Sequence, residues 1–300
     1  MPSAASSLDT RPSSIDYAEL GQRLRAYRVG ASLQAEDVAG QMGISRAALY
    51  RLEQGRIVKI ETLERLAQLL GTSLASLLGV EAEYYPTACG FLERMRQIES
   101  ESTRIVAHFE PITQLLASDH YRRHLRLMLL ESAPDTANHD REVEGIIDLL
   151  GERRAAFMAR RPHLTCLIGL REIESFLQSG LIGRIDIGDD VRGERRQAAR
   201  QEVEHIASLM ESAPAHVRIG LIEDAMPATS FQLSYGARST TLAVSPFRLG
   251  AMPTIHHGIA TVTVASGPIQ LYEAMTDRLW DNAIKGETGA MHLRKLLKRH

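Results

Sequence analysis

Apolar positions in the first eighty residues recur at the three-and-four spacing of helices, in short blocks set apart by turn residues. Ala35 to Met42 puts Val38, Ala39 and Met42 on one face, and Arg46 to Glu53 turns Leu49 and Leu52 toward the same core. Gly43 breaks the pattern between them, Ser45 stands where an N-cap belongs, and Gly55 ends the second segment. The outer face of that second segment, Arg46, Ala47, Tyr50 and Arg51, has no core to fill. LGQRLRAYR (20–28), ETLERLAQLLG (61–71) and SLASLLG (73–79) read as further helices around the pair.

Beyond residue 79 the pattern changes. Tyr84-Tyr85-Pro86 interrupts helical periodicity and predicts a linker over 80–87. Long amphipathic helices are expected at 91–117 with a break at Pro111, at 120–131, and at 140–161 before Pro162. The stripe Leu92, Met95, Ile98, Ile105 and Phe109 suits internal packing or a dimer-forming surface. A short apolar strand at 164–170, a helix at 173–182, a Gly/Asp-rich connection at 183–193 and a helix at 195–212 follow. The runs 216–223, 231–235, 240–244 and 259–265 are β-branched and bounded by Gly and Pro, so they predict strands. Helices at 271–285, around Trp280, and at 290–299 close the chain. These elements predict an arm (1–16), an all-α unit (17–79), the linker (80–87) and a larger α/β (α+β) domain (88–300). That domain is expected to be helix-rich with a small sheet near the C-terminus. No repeat of 20 to 50 residues is seen.

Composition sharpens the division. Three hundred residues exceed a single small helical unit, and 44% hydrophobic with 24% charged residues is the balance of an ordinary globular chain. The net charge of −2 is unevenly spread: residues 17–79 hold eight Arg or Lys against six Asp or Glu, leaving the remainder about −4. Only the first unit is therefore suited to touch a polyanion, and its small surplus implies a need for two copies. Cys89 and Cys166 lack a CxxC spacing, which fits free thiols in a reducing cytoplasm. No apolar run reaches the roughly 18 residues of a membrane span, and the first 16 residues lack the plan of a secretory leader. No membrane association is expected.

The combination Gly43-Ile44-Ser45-Arg46, Leu49, Leu52-Glu53, Gly55 and Glu61-Thr62-Leu63, in helices of this order, resembles the Cro/C1-type (XRE) helix-turn-helix regulators. The resemblance covers about 60 of 300 residues. It implies a five-helix, lambda-repressor-like domain whose third helix enters the major groove of double-stranded DNA. Carried over by position, Arg46, Ala47, Tyr50 and Arg51 become base-reading candidates, and Gln34, Ser45, Arg56 and Lys59 phosphate contacts, with Arg23 a further one. Arg51 has a second reading as a surface ion pair with a glutamate. Ala35 stands where the family commonly has Gln, with Gln34 one position earlier. One such helix reads only a few base pairs, which implies a homodimer on a pseudo-palindromic site. Residues 88–300 resemble more diffusely the sensing domain behind such readers in actinobacterial regulators. The likeness rests on Pro111-Ile112, Leu115-Leu116, Tyr121, HVRIGLIE (216–223) and the Tyr272–Trp280 segment.

Catalytic patterns are lacking, and no enzyme is expected: GxxxxGK[ST], GxSxG and HExxH do not occur. Cys89-Gly90 sits where self-cleaving repressors are cut, yet the lysines downstream of it, Lys285, Lys295 and Lys298, fall in expected C-terminal helices. Glu202-x-x-His205 and His256-His257 invite a metal reading, but a di-iron site needs a second ExxH, so no metal and no cofactor are expected. Phe231, Tyr235, Arg238, Arg248 and His256 are candidates to line a pocket for an anionic or aromatic effector, ordinary packing being the other reading. The function predicted is a sequence-specific DNA-binding transcriptional regulator, acting as a dimer on a pseudo-palindromic operator and controlled by a C-terminal effector-sensing domain. The alternative is an antitoxin-like or phage-type repressor whose C-terminal domain binds a protein.

Overall fold

The computed structural model describes residues 16–56, 59–79, 82–132, 139–250 and 252–300. All of the expected arm except Asp16 lies outside these. Helices α1 (Tyr17–Gly30), α2 (Ala35–Met42), α3 (Arg46–Glu53), α4 (Ile60–Leu69) and α5 (Leu74–Leu78) form the N-terminal unit. Asp16 caps α1, its carboxylate accepting from the N–H groups of Ala18 and Glu19 at 2.9 and 3.2 Å. Gly21 lets α1 and α3 touch: a Cβ there would lie 2.5 Å from the Glu53 carbonyl oxygen.

The larger part is built on one mixed sheet with strand order β1-β7-β6-β5-β2-β3-β4-β8. The strands are β1 (Glu83–Tyr85), β2 (Ser102–His108), β3 (His163–Gly169), β4 (Val217–Ile222), β5 (Ser230–Gly236), β6 (Thr240–Ser245), β7 (Ala260–Thr263) and β8 (Ile284–Lys285). β2, β3 and β4 run parallel, connected through α7 (Asp119–Glu131) with α8 (His139–Arg160) and through α9 (Leu170–Ser179) with α10 (Asp189–Ser212). All other pairings are antiparallel. Two-residue alternation splits the sheet between two cores. Ile105 and Ala107 of β2 join Leu164, Cys166 and Ile168 of β3 in the main core with most of the helices. On the opposite face Val106, Leu233 and Leu242 meet Ile269, while Leu167, Ile222 and Phe231 meet Tyr272, Leu279 and Trp280, all from α11 (Ser266–Asn282).

Two expectations are corrected here. The sheet is neither small nor confined to the C-terminus. The helix expected over 91–117 ends at Glu101 as α6 (Ala88–Glu101) and passes directly into β2. The helical stripe holds only through Ile98; the following Ser-Thr-Arg-Ile-Val run favours a pleated, half-buried strand, and no Gly or Pro marks the change. Smaller shifts affect α11, which begins at Ser266 with Pro268 tolerated in its first turn, and α10, which begins inside the expected 183–193 connection. α12 (Gly286–Arg299) closes the chain.

Within the segment expected as a linker, residues 83–85 are strand β1 and Thr87 caps α6 through the Gly90 N–H. One set of buried side chains runs from Leu20 through Leu92 to Leu297, so the N-terminal unit packs on the sheet domain. Where α1 meets α6, Gly30 and Gly90 face each other so closely that a Cβ on Gly90 would be 3.0 Å from the Gly30 Cα. Tyr27 of α1 stacks on Tyr85 of β1 with centroids 4.7 Å apart.

A buried charge cluster completes this contact. Glu83 accepts from Arg94 Nε and Nη2 at 2.8 and 2.9 Å, from Arg23 Nη1 at 3.4 Å and from the Tyr85 hydroxyl at 2.6 Å. Arg94 also reaches Glu19 of α1 at 2.6 Å. Burial alone raises the Glu83 pKa, but Arg94 and then Arg23 more than offset it, holding the carboxyl below its ordinary range. Arg25 of α1 adds a 3.0 Å pair to the buried Glu93 of α6. Cys89 and Cys166 are free and buried, and burial pushes both thiols up to about 12, with Glu142 adding to the effect at Cys89.

Candidate nucleic-acid interface

The α2–turn–α3 segment is fixed from within. Ala35, Val38, Ala39 and Met42 of α2 are buried, as is Leu49 of α3. Gly43 adopts φ +68°, a left-handed conformation that an L side chain resists, and its N–H returns to the carbonyls of Ala39 and Gly40. Asp37 of α2 accepts from the Gln34 N–H at 3.0 Å, and Ser45 Oγ accepts from the Ala48 N–H at 3.1 Å, so both helix starts are capped. Gly55, at φ +84°, closes α3 where a Cβ would lie 2.5 Å from the Tyr17 carbonyl oxygen.

A buried ion pair sets the angle of α3. Arg28 of α1 grips the Glu53 carboxylate through Nε at 2.5 Å and Nη2 at 3.1 Å, while its Nη1 donates to the Leu33 carbonyl at 3.1 Å. One guanidinium thereby joins α1, the approach to α2 and the end of α3. Removing either partner strands a charge in the core, so the pair specifies geometry even though such pairs add little net stability.

With its inner face occupied, α3 presents Arg46, Ala47, Tyr50 and Arg51 to solvent. Gln34, Ser45, Arg56 and Lys59 are exposed as well, so the eight residues expected at a DNA surface all lie open. Among the described residues no ion pair engages Arg51. Arg46 does not stand free: Nε and Nη2 donate to the Tyr50 hydroxyl at 3.2 and 3.0 Å, its guanidinium lies 5.3 Å from the Tyr50 ring centroid, and Nη1 pairs with Glu36 of α2. The Tyr50 hydroxyl, and after it Glu36, raise the Arg46 pKa further above its usual value. Glu36 is the residue that sequence reasoning missed; its apposition to Arg46 depends on the crossing of α2 and α3. Arg23, expected as a further phosphate contact, is buried and donates to the Leu77 and Leu78 carbonyls at 2.9 and 3.0 Å, holding the end of α5.

The five effector candidates are dispersed. Phe231 is fully buried against Tyr272, with centroids 5.1 Å apart. The Tyr235 hydroxyl donates to Glu273 at 2.9 Å and its ring carries the Arg104 guanidinium at 3.7 Å. Arg238 is exposed and pairs with Asp16 at 3.2 Å. Arg248 and His256 belong to the β6–β7 connection, where His256 faces Glu142 of α8 at 3.7 Å. Glu202 and His205 are bound to the 116–118 segment: Glu202 accepts from the Ser118 N–H at 3.1 Å, and His205 Nε2 is 3.0 Å from the Leu116 carbonyl. Cys89-Gly90 lies in the first turn of α6, with Gly90 against α1.

Among the described residues no helix is long and apolar enough to cross a membrane. Residues 19–78 match the family model described as a helix-turn-helix domain, of the XRE/Cro-like kind. No curated protein matches the chain.

Proposed function

We propose that this chain is a sequence-specific transcription regulator that reads DNA with α3, acts as a homodimer on a pseudo-palindromic site in the cytoplasm, and is controlled through its sheet domain. The observation that carries the reading is a helix with a locked inner face and an open outer face of Arg46, Ala47, Tyr50 and Arg51, flanked by Gln34, Ser45, Arg56 and Lys59. That residue set suits a groove. Arginine can donate twice to the O6/N7 edge of guanine, and the Ala47 methyl can meet a thymine methyl. Gln34 and Ser45, at the starts of α2 and α3, stand where helix N-termini favour phosphate.

The firm seating of α1 on α6 supports control by the sheet domain, because a change in α6 bears on the helix that holds α3 through Arg28. Control by a small effector or a bound protein is part of the proposal. The dispersal of Phe231, Tyr235, Arg238, Arg248 and His256 favours no single effector pocket made of those five.

The test is selection of bound duplexes from a randomised library by the full chain, followed by affinity measurements with Arg51→Ala. The expected result is a two-fold symmetric motif, with a loss on the selected site of about 1 to 3 kcal/mol per half-site and relaxed preference at one base pair. Failure to enrich any motif, at a salt concentration where basic proteins still bind DNA, refutes the reading.

A further inference from the structure

We propose that His139, Glu142 and His256 form a binding site for a divalent transition-metal ion of the zinc type, remote from α3. His139 and Glu142 occupy the first turn of α8 at i, i+3 spacing, which places them on one helical face. His256 reaches them from the β6–β7 connection. One ligand atom from each of the three lies within 4.8 Å of the other two. His256 Nδ1 is 3.7 Å from Glu142 Oε1, and the two imidazole centroids are 6.0 Å apart.

The state of His139 makes this more than a chance cluster. Its ring is buried, and Nε2 stands 3.2 Å from the Leu129 carbonyl. A carbonyl only accepts, so in the neutral ring Nε2 carries the proton and Nδ1 keeps a lone pair. Nδ1 is itself buried and, among the described residues, has no hydrogen-bond partner. An unsatisfied buried acceptor is costly, and a metal ion in front of it supplies the missing partner. A histidine whose far nitrogen donates to a backbone carbonyl is also how metal-binding imidazoles are oriented.

The donor set narrows the ion. Two imidazoles and one carboxylate suit zinc or a neighbouring first-row cation and leave a position open, whereas calcium and magnesium take oxygen ligands. Tetrahedral coordination at about 2.1 Å separates ligand atoms by roughly 3.4 Å, so binding draws the three groups slightly closer. The contraction falls on the loop bearing His256, because His139 and Glu142 share a helix. A bound ion thus clips the β6–β7 connection to the start of α8.

The test uses the full chain stripped with a chelator and titrated with zinc chloride, with cobalt(II) as a coloured substitute. One saturable site is expected, with cobalt absorption in the visible range typical of four-coordination. His256→Ala should weaken zinc at least ten-fold, while His257→Ala, an exposed neighbouring imidazole, should leave affinity unchanged. Glu142→Gln should weaken binding and alter the cobalt spectrum. His256 is exposed, so its loss spares the fold even if His139→Ala does not. No stoichiometric binding, or equal losses in the His256 and His257 variants, overturns the site and leaves only adventitious surface binding.

Discussion

Replacing Glu83 with glutamine keeps the shape of a buried side chain and removes the charge on which two guanidinium groups depend. The Arg94 and Arg23 side chains are 4% and 8% exposed, and Glu83 receives two bonds from the first and one from the second. Breaking such a pair from one side costs about 3 to 5 kcal/mol. Glu19 remains beside Arg94 but is itself 34% exposed, and it recovers part of that, so about 2 to 4 kcal/mol is expected at neutral pH. The pH dependence follows from the lowered carboxyl. Its contribution is complete above the unfolded value of 4.5 and declines as pH falls through the lower folded value. The gap between native protein and Glu83→Gln should therefore be constant near neutrality and shrink in acid. Denaturant unfolding of the full chain at pH 7 and at successively lower pH measures it. A difference below about 0.5 kcal/mol at pH 7, the size of an ordinary surface substitution, refutes the reasoning. So does a gap that persists unchanged in acid.

Glu36→Gln frees Arg46 from its intramolecular partner and relieves repulsion toward phosphate. A gain of roughly two- to five-fold in DNA affinity at low salt, fading at high salt, is expected from the worth of an exposed pair, and equilibrium binding across a salt series checks it. Gly90→Ala sets a methyl against Gly30 at the α1–α6 crossing; about 1 to 3 kcal/mol of destabilisation should register in thermal unfolding. Ser45→Ala removes the α3 cap and should cost about 1 kcal/mol, seen as faster amide exchange at Ala48.

Helix α3 was legible in the sequence because its signals are local. Gly43, Ser45 and Gly55 mark turns by their own conformational chemistry, and apart from Glu53, which Arg28 holds, the polar side chains of α3 face outward. The α6-to-β2 junction was not legible, since the run across it holds no Gly or Pro to punctuate the change of period, and pairing in the sheet fixes where it falls. Glu83 falls within the segment expected as a linker. Its partners stand 60 positions earlier and 11 later, and nothing in its neighbourhood announces them. Phe231, a candidate to line a pocket, is instead covered by α11. The approach of His256 to His139 likewise depends on how the β6–β7 connection folds back, a relation that sequence spacing does not encode.

The pairing of β1 with β7 has a consequence for biosynthesis. Tyr85 lies opposite Ala260 and Glu83 opposite Val262, so the strand that follows the N-terminal helices cannot find its neighbour until about 180 more residues have been translated. At roughly 5 to 20 residues per second, that is an interval of about 10 to 40 s. During it the helices can assemble from local contacts while β1 waits with its edge unpaired. Strand β7 thus completes the seat of α1, which makes correct mounting of the N-terminal helices depend on a segment that is translated late.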